Sequence, residues 1–300
     1  MKHVVISLLN FNGKKNTLDC LESLKNIKKD NFKLTIVVVD NASTDGSPSV
    51  ISNFKIILNK ENLGFSGGHN VAIQYALENG ADYVLILNND TYVSPNFLTE
   101  LVRIAEKDDG IGILSPKIYF APGFEYHKAR YSKEEKGKVL WYAGGEIDWV
   151  NVIGRNRGVD EVDVGQYDKT EETEAATGCC MLIKKEVFAK IGNFDDKYFL
   201  YYEDADLTMG AKNKGFKIYY APKSIIWHKN ARSSGGSGSV LQDYYITRNR
   251  LLFGFRYAPA RSKLALFRES LSLLLKGRLW QKRGVIDFYL GKFGKGSYSV

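Results

Sequence analysis

Short β-branched apolar runs alternate with segments of helical spacing through the first hundred residues. The runs are residues 4–9 (VVISLL), 34–39 (LTIVVV), 55–58 (KIIL) and 83–87 (YVLIL). Strands buried on both faces require such near-continuous hydrophobicity, and the alternation predicts an α/β fold around a mostly parallel sheet flanked by helices. Between the runs, residues 17–26 place Leu18, Leu21 and Leu24 at helical spacing. Residues 70–79 do the same with Val71, Ala72, Tyr75 and Ala76, ending at Gly80 where a C-terminal cap belongs. A third helix is predicted after Ser94, with Pro95 at its first position. Three of the strands end in polar clusters: Asn10-Phe11-Asn12-Gly13, Asp40-Asn41-Ala42-Ser43 and Asn88-Asn89-Asp90. Ligands of open α/β sheets bind outside the carboxyl ends of the strands, so the three clusters are expected to meet at one crevice.

The pattern loosens over residues 117–173, which read as loops and antiparallel edge strands, with a strand-like piece at 138–143. Order returns with a buried strand at 176–183, a short helix at 185–191 closed by Gly192, and a helix at 204–214 closed by Gly215. Two further strands are predicted at 217–220 and 224–228. Residues 233–239 (SSGGSGS) follow as a flexible loop, a candidate lid beside a cleft. The remainder is helical in pattern at 244–255 and 264–279, where Leu264, Leu266, Phe267, Leu271, Leu274 and Leu275 lie among Arg and Lys.

A hydrophobic fraction of 44% and a charged fraction of 25% over 300 residues exclude a disordered or collagen-like chain. The net charge of +8 suggests an anionic partner until it is located. Residues 241–300 carry 12 Lys or Arg against 3 Asp or Glu, a net of +9, while residues 1–240 carry 30 against 31. The basic character belongs to the last fifth of the chain. Cys20, Cys179 and Cys180 form no framework of spaced pairs and fit a reducing compartment as small core residues. The opening MKHVVISLL is too short for a signal peptide, and no apolar run has the length of a spanning helix, so a cytoplasmic location is expected.

The candidate chemistry sits mainly at the strand ends. Asp90 is placed to hold a divalent cation that bridges a diphosphate, or else to cap a turn. Asp40 is placed to accept the N3–H of a uracil or thymine ring, or to serve as a helix cap. Residues 62–70 (NLGFSGGHN) form a Gly-rich loop expected to let backbone approach a ligand, with the N–H groups of the following helix open to an anion. Glu203, Asp204 and Asp206 put three carboxylates within four positions behind an aromatic run, an arrangement suited to a general base and otherwise to a charged helix start. His228, at the end of a strand before the Ser/Gly loop, is a candidate metal or phosphate contact, against the commoner structural role of a lone histidine.

Taken in order, the segments VVDNASTDGS (38–47), NLGFSGGHN (62–70), LNND (87–90), residues 178–188, EDADL (203–207) and Trp227-His228 resemble the family 2 glycosyltransferases and, within them, the bacterial rhamnosyltransferase-like branch. The resemblance spans roughly residues 3–250. It implies the Rossmann-like GT-A fold, with a catalytic domain at 1–240 (a nucleotide-binding half at 1–116, an acceptor and catalytic half at 117–240) and a basic helical extension at 241–300. It implies that Asp40 contacts the nucleobase. Asn62, Gly68 and Asn70 would line the nucleotide-sugar site, and Asn10, Asn41, Gly67, Asn88 and Asn89 are placed there too. Asp90 and His228 would hold Mg²⁺ or Mn²⁺, and Asp204, with Glu203 beside it, would be the catalytic base. The usual Asp-x-Asp is here Asn88-Asn89-Asp90, one carboxylate short.

The implied reaction is an inverting transfer from a UDP- or dTDP-sugar, dTDP-rhamnose among them, to a hydroxyl of a glycan or lipid-linked acceptor in polysaccharide or cell-surface glycan synthesis. Two other classes are weighed. Nucleotidyl transfer to a sugar phosphate would place a basic Gly-rich loop directly after the first strand, and a non-catalytic glycan-binding module would not need the carboxylates at 90 and 204. For the basic extension, an anionic membrane surface is the expected partner, ahead of packing on the domain or on a second copy as a homodimer. No nucleic-acid motif accompanies it, so no nucleic-acid partner is expected.

Overall fold

The computed structural model describes residues 1–30, 32–51, 53–230 and 238–298; residues 233–237 of the expected lid lie outside them. In chain order the elements are β1 (Lys2–Asn10), α1 (Lys14–Lys25), β2 (Phe32–Asp40), α2 (Ser47–Val50), β3 (Lys55–Leu58), α3 (Gly64–Glu78), β4 (Tyr83–Asn88), β5 (Thr91–Val93), α4 (Phe97–Ala105) and β6 (Ile111–Phe120). They continue with β7 (Leu140–Tyr142), β8 (Gly145–Asp148), β9 (Ile153–Asn156), β10 (Glu171–Glu172), β11 (Cys180–Lys184), α5 (Lys185–Ile191), α6 (Glu203–Asn213), β12 (Lys217–His228), α7 (Val240–Tyr257), α8 (Ala260–Lys276) and α9 (Leu279–Tyr289).

The main sheet runs β10-β12-β6-β11-β4-β1-β2-β3. β1 pairs in parallel with β2 and β4, and β2 with β3, whereas β11 enters antiparallel between β4 and β6. The period of two along each strand sends alternate residues to two cores. Val4, Ile6, Leu8, Leu85 and Leu87 pack with α1 and α4 through Leu21, Leu24, Leu98 and Leu101. Val5, Val84, Ile86, Met181 and Ile183 pack on the other side with Ala72, Ile73 and Ala76 of α3 and with Leu207 of α6. That double burial is why the runs read as continuous apolar stretches. A third core joins Leu251, Phe253, Leu266 and Val285 of α7–α9 to Ile147, Val152, Ala175 and Tyr198, so the C-terminal helices pack on the rest of the chain.

Several boundaries differ from the sequence expectation. The third helix begins at Phe97, and Pro95 sits in the turn before it, where Phe97 N–H donates to Ser94 O at 3.1 Å. The two strands expected at 217–220 and 224–228 are one strand, β12, whose pairing with β6 slips between Ala221 and Ile225 around Pro222. Proline lacks the ladder N–H, so a slip of register absorbs it without ending the strand. β11 starts at Cys180 because 177–180 form a turn, closed by Cys180 N–H on Thr177 O at 3.2 Å. Most important for the site, α3 begins at Gly64 and not Asn70, so the Gly-rich segment is the first turns of the helix. A Cβ at Gly68 would lie 2.4 Å from Leu9 Cδ1 and 2.9 Å from Asn41 Nδ2, and only glycine lets α3 lie that close to the end of β1.

Candidate active site

The parallel register sets Asn10 opposite Asp40 and Leu9 opposite Asn88, so three strand ends share one edge of the sheet. Asn10 is the joint. Its buried amide donates to Asp40 Oδ2 at 2.7 Å, and its Oδ1 accepts from Thr17 Oγ1 at 2.7 Å and from Asn89 Nδ2 at 3.4 Å. Ser43 N–H donates to the other Asp40 oxygen at 2.8 Å, which fixes the carboxylate plane. Asn41 continues the network. Its amide donates to Gly64 O at 2.9 Å and Asn62 Oδ1 at 3.2 Å, and its Oδ1 accepts from Asn59 Nδ2 at 2.7 Å. Asn10, Asp40, Asn41, Asn62 and Asn89 thus form one connected polar surface, with Gly68 packed beneath it.

Gly67 and Asn70 lie elsewhere. With Asn62 they line a separate cleft of about 940 Å³, shared with Asp196 and Phe199. The Asn70 side chain is engaged there: it donates to Phe194 O at 2.9 Å and Asp196 Oδ1 at 2.6 Å and accepts from Phe194 N at 3.0 Å. The N–H groups at the start of α3, expected to be open to an anion, are also taken. Gly64 N–H is bound by Asn62 Oδ1 at 2.8 Å, and those of Phe65 and Ser66 by Phe199 O at 2.6 and 3.4 Å. A helix terminus buried against another loop must find internal acceptors, and the Phe199 carbonyl supplies them.

Asp90 follows β4, and His228 is the last residue of β12. Both are buried, and His228 Nε2 lies 3.1 Å from Asp90 Oδ1. Two adjacent ligands of an octahedral cation with bonds near 2.1 Å are about 3 Å apart, so this pair of one hard oxygen and one imidazole fits Mg²⁺ or Mn²⁺. Among the described residues no group of three or more His, Cys, Asp or Glu is suited to a metal. Lys229, a neighbour the sequence reading passed over, is buried beside the pair; its N–H donates to Asp90 O at 2.9 Å and its ammonium reaches Asp19 at 2.7 Å. The three cysteines are free and buried, as expected of core residues.

The 177–180 turn carries Asp204. Gly178 N–H donates to Asp204 Oδ2 at 2.9 Å, and Ala205 N–H donates to Oδ1 at 2.8 Å. Asn88 N–H is bound to Cys179 O at 2.9 Å, so this turn lies against the end of β4, and the Cys179 thiol lies within the field of both Asp90 and Asp204. The three acids of α6 occupy three different settings, which resolves the repulsion evident in the sequence. Glu203 is buried with Oε2 unpartnered; burial first and the Asp204 charge second push its pKa well up. Asp206 is tied to Arg256 at 2.6 Å and to the Tyr198 hydroxyl at 2.9 Å. Asp204 keeps part of its surface open, and burial raises its pKa against the opposing pull of the Gly178 and Ala205 amides. An aspartate more basic than usual is what a general base requires.

A polar cleft of about 580 Å³ opens beside the β8–β9 hairpin, lined by Glu146, Arg155, Arg157, Glu172 and Glu174 among others. The chain passes from Glu174 directly to Gly178, which links this cleft to the Asp204 turn. The sequence reading also passed over Asn249, and took Arg248 only as basic charge.

The chain matches the profile described as "Glycosyl transferase family 2" over residues 4–192. It is 26% identical over 219 residues to the N-acetylglucosaminyl-diphospho-decaprenol L-rhamnosyltransferase of Mycobacterium tuberculosis, covering 67% of this chain and 68% of that one. Its structure is similar to that of the mannosyltransferase PcManGT from Pyrobaculum calidifontis in complex with GDP-Man and Mn²⁺, with a TM-score of 0.56 and 16% identity over 98% of this chain and 76% of that one. It is similar also to that of GalNAc-T7 with UDP, GalNAc and Mn²⁺, with a TM-score of 0.60 and 16% identity over 91% and 55%.

Proposed function

The chain belongs to glycosyl transferase family 2, has the GT-A fold and is similar to the rhamnosyltransferase-like branch, and from that premise we propose that it moves a sugar from a UDP- or dTDP-sugar, with inversion, to a hydroxyl of a lipid-linked or glycan acceptor. The observation that carries the reading is Asp204, a half-buried aspartate of raised basicity that hangs from the Gly178 amide beside the strand end leading to Asp90. dTDP-rhamnose is the first donor to test, because the mycobacterial relative is named as a rhamnosyltransferase acting on a diphospho-lipid glycan.

In this mechanism Asp40, its plane fixed by Asn10 and Ser43, accepts the N3–H of uracil or thymine. Asp90 and His228 would hold a divalent cation, which supplies charge to offset the departing diphosphate. Asp204 takes the proton of the acceptor hydroxyl as that oxygen attacks C1 from the face opposite the nucleotide, so the C1–O bond to the diphosphate breaks as the new one forms. A Glu203 whose pKa burial raises, and an Asp206 paired with Arg256, leave Asp204 as the unpaired base at the start of α6. The polar cleft at 144–174, whose lining ends four residues before Gly178 in the chain, receives the acceptor.

A panel of dTDP-rhamnose, UDP-glucose and UDP-N-acetylglucosamine, each with an N-acetylglucosaminyl-diphospho-lipid, tests the proposal. Release of nucleoside diphosphate with a β- or α-inverted product supports it. Pyrophosphate released from dTTP or UTP with a sugar 1-phosphate, in place of turnover of the panel, would point to nucleotidyl transfer, and binding without release to a glycan-binding module.

The proposal extends to where the enzyme works. Among the described residues no helix is long and apolar enough to cross a membrane. On α8, however, Leu264, Phe267, Leu271 and Leu275 are exposed on one face, with Arg261, Arg268 and Lys276 exposed beside them. An apolar row flanked by cations suits peripheral docking on the anionic cytoplasmic leaflet. Cosedimentation with phosphatidylglycerol vesicles at low salt, lost in Leu271→Glu/Leu275→Glu, is expected; a dimer in solution that these changes disrupt would assign the face to a second copy.

A further inference from the structure

The turn before α6 is held in a conformation its residues do not favour. Phe199, Tyr201 and Tyr202 have φ of 63°, 70° and 73°, three non-glycine residues in the left-handed region within four positions. Bulky side chains disfavour that region, so such a turn persists only when its surroundings over-determine it.

The surroundings are two adjacent residues of α7. Asn249 Nδ2 lies 2.9, 2.8 and 2.9 Å from the carbonyls of Tyr198, Leu200 and Tyr201 and donates its two hydrogens among them. Arg248 Nη2 donates to Lys197 O and Tyr198 O, both at 3.0 Å, and its Nη1 donates to Gly294 O at 2.8 Å. Arg248 Nε donates to Asn249 Oδ1 at 3.0 Å, which turns the amide so that its NH₂ faces the turn. Both side chains are fully buried, and Gly294 N–H adds a bond to Lys197 O at 2.9 Å from the C-terminal segment. The Phe199 ring, in turn, stacks on Tyr245 at 5.2 Å.

Two parts of the site depend on this turn. Phe199 O caps the start of α3, which follows Asn62 and carries Gly68, through Phe65 N–H at 2.6 Å. At the other end the turn runs straight into Glu203 and Asp204. We infer that Arg248 and Asn249 are positioning residues for transfer: from the C-terminal helices they clamp the 197–202 turn and so set Asp204 and the donor-side segment of α3 in register with one another. The inference deepens the proposed function and rests on its assignment of Asp204 as base. It also gives residues 241–300 a part in the catalytic unit.

Hydrogen exchange on the full chain tests the clamp without any substrate. In Asn249→Ala, amides of residues 63–67 and 199–206 are expected to lose protection by at least tenfold, while β1 and β2 exchange as in the parent. With the donor that the panel identifies, kcat should fall about 100-fold, the scale of a 1 Å misplacement, with UDP or dTDP affinity changed by less than about tenfold. Arg248→Lys, which keeps the charge but not the fork, should show the same pattern in weaker form, and it carries the comparison if Asn249→Ala does not fold. Unchanged protection at 199–206, or kcat within twofold of the parent, overturns the inference. The two readings separate cleanly: lost protection in Asn249→Ala with full transfer by Asp204→Asn keeps the clamp and reassigns the base, whereas an inactive Asp204→Asn with unchanged protection in Asn249→Ala keeps the base and removes the clamp.

Discussion

Substituting Gly64 by alanine probes the junction between the donor segment and the Asp204 turn. Gly64 has φ of +73°, and a Cβ there would lie 2.4 Å from Phe199 O and 2.6 Å from the Phe199 ring. Gly80 has nearly the same backbone, φ +71°, but a Cβ there would meet nothing within 4 Å. The left-handed conformation costs alanine about 1–2 kcal/mol at either position. Overpacking adds about 1–3 kcal/mol at Gly64 alone, because the obstructing atom is a backbone carbonyl that already accepts the α3 amides. Gly64→Ala should therefore lose about 2–5 kcal/mol and Gly80→Ala about 1–2 kcal/mol, read as the midpoint shift in urea at constant m. Equal losses in the two variants would refute the close packing of the turn on the head of α3, and with it the account of why the Gly-rich segment is glycine at that position.

The remaining predictions concern charge. Because burial raises the pKa of Asp204, the acid limb of kcat/KM should lie above the ordinary aspartate value of about 3.9; a limb at or below it would remove Asp204 as the titrating base. Glu203 binds its proton more tightly folded than unfolded, so its contribution to stability is present at low pH and is lost as pH rises above the usual carboxylate range. Glu203→Gln should accordingly gain stability over the parent progressively between pH 5 and 8, and a gap that stays constant across that range would contradict a buried neutral glutamic acid. Asp90→Ala and His228→Ala should each weaken Mn²⁺-dependent binding of UDP or dTDP at least tenfold, measured calorimetrically with and without EDTA; unchanged metal dependence in both would remove the pair as ligands.

Much of this architecture was legible in the residue pattern, for a physical reason. Parallel strands buried on both faces leave uninterrupted apolar runs, so β1, β2 and β4 could be read to within a residue or two, together with the polar ends that converge on Asn10, Asp40 and Asn88, whereas β3, expected to be buried on both faces, is an edge strand with Lys55 and Leu58 exposed. Helix starts were harder. α3 begins six residues before the expected start at Asn70, because its opening glycines are selected by close packing on Leu9 and Phe199, contacts distant in sequence. The same limit applies to the site. Asp204 stood out as one of three crowded carboxylates, but only the tertiary partners separate its role from those of Glu203 and Asp206. The roles of Arg248 and Asn249 are set by carbonyls some fifty residues away, and no local pattern announces such bonds. The net charge is sharpened in the same way: Arg248 and Arg256 belong to buried or paired contacts, whereas Arg261, Arg268 and Lys276 face outward.

The central claim is that Asp204 removes the acceptor proton, and the most direct measurement is turnover by Asp204→Asn alongside donor affinity. The substitution is isosteric; it removes the basicity and gives up one of the two amide bonds that Asp204 accepts from Gly178 and Ala205. Nucleotide-sugar binding should stay within about threefold of the parent while kcat falls by about 10²–10⁴, the usual worth of a general base. Transfer at a substantial fraction of the parent rate, with the acid limb of the pH profile in place, would contradict the assignment.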